Sequence, residues 1–231
     1  MDFSGWQRLS LVDYDDNITT TLFMAGCDFR CPFCQNSDLV LHPEKAPRIP
    51  WETIRDYLSQ RKGVLDAVCI TGGEPTMMDD LLEKMKEIKE MGYKIKLDSN
   101  GSRPDVLQEA AFYGFVDYFA MDIKNCKEKY GLTAGVPHLN LAPIEKSVDF
   151  IMHSGVSYEF RTTIIQEFHT EEDMKKIGEW IQGAERYALQ LYIDSERCIE
   201  HGHHAVPKEE AERFLEIVKP YVKKAKLRSY D

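Results

Sequence analysis

Six short apolar runs punctuate the chain, at 19–25, 66–71, 94–98, 116–123, 158–165 and 188–193. Each is rich in β-branched or aromatic residues and too short for a helix, so each predicts a buried strand. Between the runs the apolar positions change to helical spacing. Trp51, Ile54, Tyr57 and Leu58 line one face of a helix that Pro50 starts and that runs to about residue 62. Leu81, Leu82, Met85, Ile88 and Met91 line another over 78–91, which Gly92 closes. Further helices are predicted after Pro104, up to Ser154, over 171–182 with Thr170 as N-cap, and from Pro207 to about Lys224. Residues 4–18 read as a polar lead-in, and 35–49, with Pro43 and Pro47, as irregular.

Six strands alternating with helices predict a parallel sheet of βα units. Right-handed crossovers curl such units into a partial (β/α)6 barrel. With no linker, repeat or low-complexity tract, the expectation is a single domain spanning 1–231, its core at about 19–195 and its C-terminal helix at about 207–224. At 231 residues the chain is long enough for that. The net charge of −10 argues against a general nucleic-acid binder. Neither a signal peptide nor a run of eighteen apolar residues is visible, so a cytoplasmic chain is expected.

The most distinctive stretch follows the first strand: Cys27-Asp28-Phe29-Arg30-Cys31-Pro32-Phe33-Cys34. Three thiols within eight residues, delivered by a strand end, suit an iron–sulfur cube, and three ligands for four irons leave one iron open. Three plainer readings stand beside it. Zinc usually takes four protein ligands, and no second paired cluster exists here. A disulfide framework does not fit six scattered cysteines. Buried structural cysteines do not need such close spacing.

In parallel barrels chemistry gathers where strands end. Those ends carry Gly72, Gly73 and Glu74, then Asp98 and Ser99, Asp122 and Lys124, Arg161, and Tyr192 to Asp194. Glycines at 72 and 73 would let backbone approach a ligand. Glu74 has the chemistry to accept from an ammonium group. Asp98 and Asp122, on neighbouring strands, would repel unless a cation or Lys124 lay between them. An ordinary βα turn and a structural ion pair are the plain alternatives.

The cysteine spacing, with Phe33 before the last thiol, resembles the signature of the radical S-adenosylmethionine superfamily, and Thr71-Gly72-Gly73-Glu74-Pro75 resembles its glycine-rich motif. Within it, Leu97-Asp98-Ser99-Asn100-Gly101 and Met121-Asp122-Ile123-Lys124 resemble the paired motifs of glycyl-radical-enzyme activases. The segments at 10–14 and 159–163 look closer to the activating proteins of anaerobic ribonucleoside-triphosphate reductase. The resemblance covers roughly residues 5–195.

It implies that Cys27, Cys31 and Cys34 hold a [4Fe-4S] cluster, with Phe33 and Asn36 near the adenosyl part of S-adenosylmethionine and Gly72, Gly73 and Glu74 near its methionyl ammonium. It places a monovalent cation with Asp98 and Asp122 beside the cofactor carboxylate, Ser99 adding an oxygen and Lys124 touching the cofactor. It implies reductive cleavage of S-adenosylmethionine, hydrogen abstraction from a glycine of a partner such as anaerobic ribonucleotide reductase, and an electron donor such as flavodoxin or ferredoxin. A formate-lyase-type activase and a small-molecule enzyme of the 7-carboxy-7-deazaguanine synthase type are the alternatives. A non-catalytic metal-binding module is the remote one. Gln35 departs from the formate-lyase activase pattern, and the last strand lacks its histidine. The short gap from Cys34 to Thr71 excludes a ferredoxin-like insert, so one cluster is expected. Cys69 reads as core, Cys126 as a loop thiol, Cys198 with His201 to His204 as a solvated loop, and Lys219 to Arg228 as the exposed end of the last helix.

Overall fold

The computed structural model describes residues 2–230. Its organising element is one eight-stranded sheet whose strands lie side by side in chain order. Strand β1 (Gly5–Ser10) runs antiparallel to β2 (Thr19–Met24). From β2 the strands run parallel through β3 (Ala67–Gly72), β4 (Lys94–Ser99), β5 (Tyr118–Asp122), β6 (Ser157–Ile164), β7 (Tyr187–Leu191) and β8 (Ala225–Arg228). The sheet is curled but unclosed, a partial barrel. Its middle six strands are the predicted ones. The two outer strands are additions: β1 was read as lead-in and β8 as the end of a helix.

The helices are α1 (Ser37–Leu41), α2 (Trp51–Ser59), α3 (Leu81–Glu90), α4 (Pro104–Phe112), α5 (Tyr130–Thr133), α6 (Ala142–His153), α7 (Glu171–Trp180) and α8 (Lys208–Val218). The six longer ones cover the convex face, while the short α1 and α5 sit at the strand ends beside the cysteine loop. Thr170 caps α7 through a reciprocal pair with Asp173, as its place before two glutamates predicts. Strand alternation sets the two faces of the sheet. Leu22, Ile70, Leu97, Phe119 and Phe160 belong to one buried apolar cluster with Leu58, Met85, Ile88, Ile177 and Phe214 of the helices. The opposite parity, pointing into the barrel, is polar: Thr21, Cys69, Lys96, Asp98, Asp122, Glu159 and Arg161 follow one another in register across β2 to β6.

Polar interiors need complete pairing, since an unpaired buried charge is costly. The lower layer obtains it from the two outer strands. Arg228 of β8 forks onto Glu159 at 3.1 and 2.8 Å. The loop between β1 and β2 closes the floor: Tyr14 packs on Tyr118 at 5.1 Å between ring centres, Asp13 accepts from Thr21 at 2.6 Å, and Asp15 meets Lys226 at 2.9 Å. Within the stretch 219–228, residues 225–228 are thus a barrel strand, whereas Lys219–Tyr221 prolong α8 as a short turn and Lys219, Lys223 and Lys224 are exposed as expected. No helix among the described residues is long and apolar enough to cross a membrane.

Candidate active site

At the C-terminal ends of the strands lies a cavity of about 310 Å³. Cys27, Cys31, Cys34, Phe33, Asn36, Gly72, Gly73, Asp98, Ser99, Asp122 and Lys124 all line it. Residues separated by almost a hundred positions are brought together because parallel strands end on the same side.

Three backbones clasp the cysteine loop. On the first side, Gly73 N–H donates to Met24 O and Glu74 N–H to Gly26 O, both at 2.8 Å. A Cβ at Gly73 would overlap the Gly26 carbonyl, and Gly72 (φ +116°) would press a Cβ into Met24. These glycines are therefore demanded by close packing on the cysteine loop, before any ligand is considered. On the second side, Arg30 N–H donates to Ala134 O at 2.9 Å, just after α5. On the third, Glu200 N–H donates to Pro32 O at 2.7 Å, Ile199 N–H to Cys34 O at 3.2 Å and Ser37 N–H to Arg197 O at 3.2 Å. This last contact corrects the reading of 198–204 as a solvated loop. Cys198 is buried, 3.6 Å from the Tyr192 hydroxyl, although His201 and His204 remain exposed. Cys126 is likewise buried, its thiol donating to Asp173 at 3.4 Å. Cys69 is buried within β3, as expected of a core residue, on the barrel side beside Lys96.

Asn36 lines the cavity and donates to Gly72 O at 2.8 Å, which ties the end of the cysteine loop to β3. Phe33 leans on Phe168 at 6.2 Å. Glu74 is turned away from the cavity and is buried. One of its oxygens accepts from Thr76 N–H (3.1 Å), Thr76 Oγ1 (2.5 Å) and Ser99 Oγ (2.9 Å), the other from Asn100 N–H at 2.6 Å. With both oxygens taken, Glu74 joins the ends of β3 and β4 instead of presenting a carboxylate to a ligand. Asn100, part of the motif but given no role of its own there, donates to Asp28 at 2.8 Å and approaches Cys27 Sγ at 3.8 Å.

The thiols tell what kind of group suits them. Burial pushes Cys27 up to about 12 and Cys31 up to about 11, and raises Cys34 as well. Thiols held protonated this way become ligands when a strongly cationic group replaces the proton. No three His, Cys, Asp or Glu side chains among the described residues close on a single ion. The three sulfurs instead occupy the wall of one cavity, an all-thiolate donor set that fits a polynuclear iron–sulfur cluster better than zinc.

The predicted monovalent cation fits less well. Arg161, directly across from Asp122 in register, reaches between the two aspartates. Its Nε donates to Asp122 Oδ1 at 2.9 Å and its Nη1 to Asp98 Oδ2 at 3.0 Å. Lys96 takes the other oxygen of Asp98 at 2.7 Å and Lys124 the other oxygen of Asp122 at 2.9 Å. Burial alone would raise both carboxyls, but Arg161 and the lysines outweigh it and hold them below the usual carboxylate range. The pair is thus charge-compensated by the chain itself.

Comparison with known proteins adds an independent line. The family model described as the Radical SAM superfamily matches residues 21–181. A Methanocaldococcus jannaschii protein provisionally named a glycyl-radical enzyme activating enzyme, MJ1227, is 29% identical over 98% of this chain and 95% of its own length. A 7-carboxy-7-deazaguanine synthase of Thermococcus kodakarensis is 25% identical over 44% of this chain and 47% of its own. Among solved structures, Streptococcus suis SuiB bound to S-adenosylmethionine superposes with a TM-score of 0.68 over 90% of this chain, at 16% identity. This chain spans 51% of that one, and the likeness is one of fold. A match that runs from β2 into α7, and so includes both the cysteine loop and the glycine-rich turn, settles the family: the chain belongs to the radical SAM superfamily.

Proposed function

We propose that this protein is a glycyl-radical-enzyme activase. The observation that carries the reading is the single cavity that joins three cysteines to the strand-end motifs, in a chain whose similarity to MJ1227 runs almost end to end. Cys27, Cys31 and Cys34 would hold a [4Fe-4S] cluster, which would supply the one-electron chemistry for reductive cleavage of S-adenosylmethionine and thereby for hydrogen abstraction from a glycine of the partner. The chain's own residues position and shield. Gly72 and Gly73 offer backbone at the cavity wall, Asn36 fixes the Gly72 carbonyl, and Phe33 backed by Phe168 keeps an apolar surface beside the thiols. Lys124 presents an ammonium to the same space, while the Ser99 hydroxyl is held by Glu74 and Gly101 N–H.

The segments that look closest to anaerobic ribonucleotide reductase activating proteins favour that reductase as partner. A small flavodoxin or ferredoxin is the matching one-electron donor. Six free cysteines suit the reducing cytoplasm as the site of action. The test is anaerobic: reconstitute with iron and sulfide, reduce, add S-adenosylmethionine and quantify 5′-deoxyadenosine against Cys31→Ala. Product from wild type and about background from the variant is expected. A fully loaded protein that makes no product overturns the reading. Candidate glycyl radical enzymes added next, with electron paramagnetic resonance as readout, identify the partner.

A further inference from the structure

The space between Asp98 and Asp122 deserves a cation on charge grounds, because two carboxylates on adjacent strands repel. In a sequence it is empty, which is why a bound monovalent ion is the natural expectation. In the fold it is full. All four carboxylate oxygens already receive a donor from a cationic side chain: Lys96 and Arg161 on Asp98, Arg161 and Lys124 on Asp122. Ala120, the register partner of Asp98, is the inward residue below Asp122 and leaves room for the guanidinium arm. Three cations against two anions leave this buried unit with one positive charge in excess.

We propose that the Arg161 guanidinium is itself the cation of this site, so that the carboxylate of S-adenosylmethionine is held without a bound potassium or sodium ion. This rests on the cofactor reading given above. Arg161 lines the cavity with 11% of its side chain exposed. Its Nε and Nη1 are engaged by the aspartates, while Nη2 meets no protein acceptor among the described residues. A guanidinium has five N–H groups in a planar fork, and those left over match the geometry of a carboxylate. Lys124, in the same wall, adds a second positive contact. Held from two sides, the guanidinium cannot swing out to make room for a free ion, and its charge is fixed in place before the ligand arrives.

The test measures binding. Cluster-loaded protein is titrated anaerobically with S-adenosylmethionine, by calorimetry, in buffers whose only monovalent cation is potassium, sodium or the non-coordinating tetramethylammonium. The three dissociation constants are expected to agree within about twofold. Arg161→Gln is expected to weaken S-adenosylmethionine binding by about ten- to a hundredfold, the range of a charge-assisted hydrogen bond. The same variant should change the affinity for decarboxylated S-adenosylmethionine by less than about threefold, since that ligand lacks the carboxylate. Arg161→Lys, which keeps the charge, should recover part of the loss. Binding by wild type that collapses in tetramethylammonium overturns the inference. So does an Arg161→Gln variant that weakens both ligands equally, since that is the mark of a structural role. Absence of binding in every buffer by a fully loaded protein overturns the cofactor reading itself, a result distinct from the other two.

Discussion

Glu74 shows how much a single buried side chain determines here. Burial pushes its carboxyl from 4.5 up to about 7, the four donors around it limiting the rise. A carboxyl that titrates higher in the fold than in the open chain binds its proton more tightly in the fold. Its contribution to stability is complete below about 4.5 and is lost as the pH rises through about 7. In urea titrations wild type should therefore lose roughly 2–3 kcal/mol relative to Glu74→Gln between about pH 5 and about pH 8. A constant difference between the two proteins across that range would refute the assignment. The residues of the motif were legible as a motif, but the task of Glu74 was not. Sequence shows a carboxylate next to a glycine pair; only the register of β3 against β4 reveals that Thr76, Ser99 and Asn100 consume both oxygens. Arg161 is the converse. It was visible as a strand end, yet its place between two aspartates depends on pairing across β5 and β6 that no local pattern encodes.

Among the elements, the six parallel strands were legible because burial on both faces leaves near-continuous apolar or β-branched runs. The outer strands were not, for a physical reason. β1 exposes Gln7, Arg8 and Leu9, and β8 consists of Ala225-Lys226-Leu227-Arg228, whose charges serve Asp15 and Glu159 inside and below the barrel. Alternation is a strand signal, but over four positions inside the basic stretch 219–228 it is too short to stand out from a solvated helix end. The segment after β7 was hidden in the same way, its function being carried by backbone. Ile199→Pro removes the N–H that Cys34 O accepts. One such bond is worth about 1 kcal/mol, so amide exchange across Cys31 to Ser37 should rise roughly fivefold. Exchange in β3 to β6 should stay unchanged. If those strands loosen too, the segment supports the whole barrel rather than the cysteine loop.

For the molecule as a whole, the charge pattern runs inward as well as outward. The net charge of −10 belongs to the chain, whereas the centre of the barrel holds the positive excess of Lys96, Arg161 and Lys124 over Asp98 and Asp122. An anionic group entering from the strand-end side meets Lys124 and Arg161, both of which line the cavity. The alternation of strands and helices pointed to the strand ends, with Asp98, Asp122, Lys124 and Arg161 among them, but not to Lys96. The sign of the centre was not foreseeable, because the pairing partners come from strands far apart in sequence.

The floor formed by Tyr14, Asp13 and Asp15 has a kinetic meaning. A vessel sealed below fills and empties through its mouth, and a protein substrate presenting a glycine would stopper that mouth. The small cofactor must then enter before the large partner, and its fragments must wait until the partner departs. For the proposed activation reaction this predicts a compulsory order of arrival. A partner enzyme whose target glycine is replaced by alanine should inhibit uncompetitively against S-adenosylmethionine, whereas random entry would make that inhibition non-competitive.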